Sequence, residues 1–170
     1  MGPGLLKGLI AILRGQRSPQ ATAAGFAVGM IMGLIPKGNL LALFFFFLFF
    51  LTTVDKAAAL MAVVIFTPAG LLLDPLAHRI GYVLLVQVQG LRPFWTQIYN
   101  MPIVPWTDFN NTAVLGHIVL GLVCWVPCYL LMKRLVVYYQ ANLKKGVEKM
   151  KFVQFLKGLR IYQWYENISQ

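Results

Sequence analysis

Residues 40–51 read Leu-Leu-Ala-Leu-Phe-Phe-Phe-Phe-Leu-Phe-Phe-Leu, and no side chain among them carries a polar atom. A water-facing fold has nowhere to put such a run. Soluble domains carry about 25% charged residues. This chain of 170 residues carries 12%, against 59% hydrophobic residues and a mean hydropathy of +0.70. Hydrocarbon is the solvent this composition expects. An all-α integral membrane fold follows, because a helix closes its own backbone hydrogen bonds where water is absent.

Working outward from that run, the apolar segments are short and repeatedly broken. Residues 21–35 precede it, opened by Ser18 as helix cap and Pro19 at the first helical position. Pro36-Lys37-Gly38-Asn39 separates them from 40–54, which stops at Asp55-Lys56. Beyond lie 57–73, interrupted by Thr67-Pro68-Ala69-Gly70, and 76–91, opened by Asp74 as a cap before Pro75. Residues 92–112 read as an aromatic, turn-rich loop, and 113–132 as the one segment of full spanning length. A crossing needs about 20 residues, or 30 Å. The segments 21–35 and 40–54 reach only about 22 Å each at 1.5 Å per residue. They either cross twice as short helices or dip in and return as a re-entrant hairpin, a form that Gly/Pro-interrupted segments often signal.

Charge orients the whole. The net charge is +10, from 15 Lys and Arg against 5 Asp and Glu. In a soluble protein that would suggest nucleic acid, but here the cations flank apolar runs: Lys7, Arg14 and Arg17 before the first, and Lys133, Arg134, Lys144, Lys145, Lys149, Lys151, Lys157 and Arg160 after the last. Such residues mark the cytoplasmic side and its anionic headgroups. The expected partner is thus a phospholipid membrane and not nucleic acid. Residues 1–18 form a basic amphipathic interfacial helix, 19–132 the membrane domain, and 133–170 a basic amphipathic cytoplasmic tail with an apolar stripe at Val147, Met150, Val153, Leu156, Leu159 and Tyr162. With both termini cytoplasmic the number of crossings is even, which places the 92–112 loop outside and makes the chain a multi-pass membrane protein. No A-x-A-like cleavage site follows a short apolar core, so the mature chain is expected to begin near Met1.

Gly25, Gly29 and Gly33 recur every four residues and make a smooth helix face for close backbone approach; internal helix packing and a partner interface both fit. Pro36, Lys37, Gly38 and Asn39 form one helix break, and Thr67, Pro68 and Gly70 another. At a hairpin tip Lys37 and Asn39 would meet a lipid phosphate or a carboxylate; in a surface loop Lys37 would only snorkel. The pattern Pro-x-Gly-x-Leu-Leu at 36–41 recurs at 68–73, a candidate structural repeat. Asp74 reads as a cap with His78 one turn on, Arg79 as a headgroup contact, and His117 as a lone packing histidine. Cys124 and Cys128 lie four apart in an apolar run without a nearby His pair, which argues against a metal site. No catalytic signature is found, five scattered acidic residues leave little for acid–base chemistry, and neither catalytic residues nor a cofactor is expected.

The stretch Ser18-Pro19-x4-Ala24-Gly25-Phe26-Ala27-x-Gly29-x3-Gly33-x2-Pro36-x-Gly38 resembles the opening signature of the bacterial membrane family called domain of unknown function twenty sixty-two. One departure is Thr67-Pro68, where that family usually has Asn-Pro, and it points to a divergent branch. The resemblance implies a small inner-membrane protein encoded beside a large AsmA-like or bridge-like envelope protein. The expected function is therefore a membrane subunit that anchors or serves a large periplasmic or envelope-spanning partner in lipid transport between inner and outer membranes. A stand-alone homo-oligomeric lipid scramblase or small transporter is the alternative.

Overall fold

A computed structural model of the chain describes residues 17–143 together with Ile12. The amphipathic stretches expected over most of 1–18 and over 144–170 lie outside the described residues. Within them the protein is helical, with no strand. Helix α1 spans Pro19–Leu34, α2 Leu40–Leu51, α3 Lys56–Tyr82, α4 Arg92–Tyr99 and α5 Thr112–Tyr138.

Helix α1 starts where Ser18 Oγ accepts from the Ala21 amide at 3.1 Å and Pro19 takes the first turn. The chain leaves the helix at Ile35 and turns through Gly38, whose φ is +98°. Asn39 then caps α2: its Oδ1 accepts from the Ala42 amide at 2.8 Å while its Nδ2 donates to Pro36 O at 3.1 Å. Helices α1 and α2 thus form a hairpin, about 24 Å and 18 Å long by their residue counts. Its two open ends meet, since the Asp55 amide donates to Ala21 O at 3.3 Å.

Helix α3 corrects the reading of 57–73 and 76–91 as two elements. It runs unbroken from Lys56 through Pro68 and Pro75 to Tyr82 and continues as a π turn over Val83–Gln87. Asp74 is therefore no helix cap. Each proline removes one ladder donor, but a long apolar helix tolerates that where side chains resupply the backbone. Thr67 does so beside Pro68, its Oγ1 donating to Val63 O at 2.8 Å. The two Pro-x-Gly-x-Leu-Leu copies consequently differ in structure: the first is a turn, the second lies inside a helix.

Helix α5 likewise passes through Pro127 and on to a π turn ending at Leu143, beyond the expected limit of 132. Two helices, not one, are long and apolar enough to cross a membrane: Lys56–Gln87 with 32 residues and Thr112–Asn142 with 31. The 92–112 stretch is not a plain loop either. It holds α4 and a 3₁₀ turn at Val104–Thr107, gathered around Phe109, whose ring lies 6.0 Å from Trp95 and 6.4 Å from Tyr99.

Small residues set the packing. A Cβ built on Gly25 would enter the backbone of Asp55, one on Gly29 that of Ala59, and one on Gly33 would lie 2.7 Å from Phe66 Cβ. These contacts ascend together, so α1 and α3 run parallel. Between α3 and α5 the pairs descend, Ala77 meeting Gly116 and Gly81 meeting Thr112, so α5 runs antiparallel. The described chain begins and ends at one end of this bundle, where Gln140 Nε2 donates to Arg17 O at 3.1 Å. Helix α2 stays outside the three-helix core, and Phe49 is its one buried residue. Leu43 and Phe47 are each 62% exposed and Leu51 66%.

Candidate functional site

Two lysines close the hairpin's helices from behind. The last carbonyls of a helix lack partners and carry the negative end of its dipole. Lys37 Nζ donates to three at the end of α1, Met32 O at 2.7 Å, Gly33 O at 2.9 Å and Ile35 O at 2.6 Å. Lys56 does the same for α2, donating to Phe49 O at 2.5 Å and Thr52 O at 2.6 Å, with the ammonium 4.5 Å from the Phe49 ring centre. All three N–H groups of Lys37 are thus committed to its own chain.

The hairpin tip abuts the middle of α3 and the start of α5, and a cavity of about 400 Å³ opens there. Its walls include Pro36, Lys37, Thr67, Gly70, Asp74 and Asn111. Both breaks singled out from sequence, 32 residues apart, thereby contribute to one site. Gly38 and Asn39 turn instead toward a neighbouring groove of about 740 Å³ between α2 and the core, roofed by Trp106. Ile35 and Lys37 line both spaces, so the two adjoin. Pro68 and Arg79 are exposed on α3 and line neither. Gly25, Gly29 and Gly33 face α3 of their own chain.

His117 is a packing residue whose ring nitrogens are satisfied, and its contacts reach a second helix. Its side chain is buried, with Nε2 3.1 Å from Gly70 O and 3.6 Å from Asp74 Oδ1, and Nδ1 2.9 Å from Ala113 O. Asp74 therefore has His117 of α5 as its histidine neighbour, while His78 Nδ1 pairs with Thr112 Oγ1 at 2.6 Å. These polar contacts flank the Ala77–Gly116 approach and tie α3 to α5. Asp74 remains half exposed and lines the cavity. Asn111 caps α5 through Oδ1, which accepts from the Ala113 amide at 2.9 Å.

The opposite end of the bundle holds a buried carboxylate that sequence reading took only as a stop signal. Asp55 Oδ1 accepts from the Ala57 and Ala58 amides at 3.0 and 3.2 Å, and Oδ2 lies 3.8 Å from Arg17 Nε. Cys124 and Cys128 are free thiols. Among the described residues no group of three or more His, Cys, Asp or Glu could hold a metal ion. The cavity's groups can bind and orient a polar head; no nucleophile–base pair accompanies them.

A family model described as an uncharacterized protein conserved in bacteria, DUF2062, matches residues 5–145. An uncharacterized protein of Treponema pallidum (strain Nichols) is 27% identical over 135 residues, covering 79% of this chain and 83% of its own. No solved structure matches.

Proposed function

The chain belongs to that bacterial family, DUF2062, and from this premise we propose that it is a non-catalytic integral protein of the bacterial inner membrane. In this reading it is the membrane subunit that anchors a large envelope partner and passes phospholipid to it. The observation that supports the membrane reading above all is α2. A twelve-residue helix of Leu, Ala and Phe stands outside the core with Phe47 and Leu51 more than half exposed. Monomeric soluble proteins rarely show apolar patches beyond a few hundred Å². Lipid tails solvate such a helix without cost, and α3 and α5 then cross while the α1–α2 hairpin re-enters on the side it left.

The meeting of Arg17 with Gln140 supports an even number of crossings, with Lys133 and Arg134 on the cytoplasmic side by the positive-inside rule. The polar cavity at the tip, set among apolar helices, supports the handling of lipid.

Extraction and co-purification test the proposal. The protein should stay in the membrane pellet after an alkaline carbonate wash, and mild detergent should recover it with a larger protein in fixed ratio. Release into the supernatant would defeat the membrane reading. A lone protein that by itself flips lipid in reconstituted vesicles would replace the subunit reading by the self-sufficient scramblase.

A further inference from the structure

We infer that the cavity at the hairpin tip binds the zwitterionic headgroup of an amine-bearing phospholipid, with the ammonium on Asp74. The inference rests on the membrane reading above and adds the chemistry of the lipid. Three features converge on it. Asp74 offers a half-exposed carboxylate on the cavity wall, with Oδ1 3.6 Å from His117 Nε2. A carboxylate set among apolar helices attracts a compact cation far more strongly than one in water does. The same lining holds the positive groups. Lys37 lines the cavity, with its ammonium hydrogens on carbonyls at the end of α1. The first turn of α5 adds the Val114 amide, which has no backbone acceptor among the described residues, and Asn111. A helix start with a neighbouring cation suits a phosphate.

One cavity thus holds a group that favours an ammonium and groups that favour a phosphate, the two charges that a phosphoethanolamine head carries a few bonds apart. The adjoining groove of about 740 Å³, lined by Leu43, Phe45, Phe46 and Val63 and reached past Ile35 and Lys37, takes the acyl chain. Its volume lies within the range of about 300–1,000 Å³ usual for ligand sites. An anionic lipid without an amine would leave Asp74 unpaired and facing a second negative charge. The site therefore selects by the amine.

Full-length protein reconstituted into nanodiscs of mixed phosphatidylethanolamine and phosphatidylglycerol, then released for native mass spectrometry, tests this. The wild type should retain phosphatidylethanolamine in preference by about tenfold, the worth of one charge-assisted hydrogen bond. Asp74→Asn should abolish the preference. His117→Gln, which alters the α3–α5 contact but leaves the carboxylate, should keep it, so a folding defect in the first variant does not remove the test. Equal retention of the two lipids by the wild type, or an unchanged preference in Asp74→Asn, overturns the inference while leaving the membrane reading intact. Displacement of bound lipid by soluble phosphoethanolamine at equal concentration also overturns it, because the ligand would then be the free head. A protein that fails to enter nanodiscs at all defeats the underlying membrane reading instead.

Discussion

At the hairpin tip a single glycine does work no other residue type could share cheaply. Gly38 has φ +98° with no atom within 4 Å of the position a Cβ would take, so the demand there is conformational and not spatial. Left-handed backbone costs an L-residue about 1–2 kcal/mol. Gly38→Ala should therefore lower stability by about that amount, read from the thermal unfolding midpoint in detergent, while the helices on either side keep their circular dichroism. The neighbouring Lys37 and Asn39, which by composition alone suited lipid contact, are committed to their own backbone as caps. Asp74 and His117 show the reverse. Their residue types announced chemistry, but their positions, 43 apart in sequence, concealed that they meet 3.6 Å apart.

Among the elements, the decisive contacts are between backbones. On the membrane reading, burial of apolar area between helices gives little, and close approach through small residues carries association. Gly25, Gly29 and Gly33 stood out because they repeat every four residues. Ala77, Gly81 and Gly116 provide the same for α3 against α5 and were overlooked, although Ala77 and Gly81 keep the same four-residue spacing. Gly29→Val would drive two methyls into the Ala59 backbone and should cost about 3 kcal/mol, the upper range for overpacking. Gly90→Ala, where a Cβ meets open space, should stay within about 0.5 kcal/mol of the wild type. Equal effects from the two would contradict the packing described. Helix ends were less legible than helix cores. The prolines at 68 and 75 read locally as breaks, but neither ends its helix, since a missing donor is a small loss against the other bonds of a helix with 27 residues.

For the whole molecule, the parallel pairing of α1 with α3 and the antiparallel return of α5 put both ends of the described chain at one end of the bundle. On the membrane reading this has a direct consequence for labelling. In a background with Cys124 and Cys128 replaced by Ser, an impermeant maleimide should reach Gly90→Cys from the periplasmic side and Arg17→Cys from the cytoplasmic side alone. Labelling of both from the same side would mean that the long helices do not cross.

Composition and the spacing of apolar residues were enough to settle the helical class, the break at Pro36–Asn39 and the first glycine face, because these depend on neighbours within a few turns of the chain. Tertiary structure alone decided that Lys56–Tyr82 is one helix through both prolines, that two helices have spanning length, and that the breaks at 36 and 67 wall a common cavity with Asp74. Those outcomes turn on which helix lies beside which. A local pattern cannot encode that choice, because a proline gap or an isolated carboxylate is tolerated or not according to the partner that another helix brings to it.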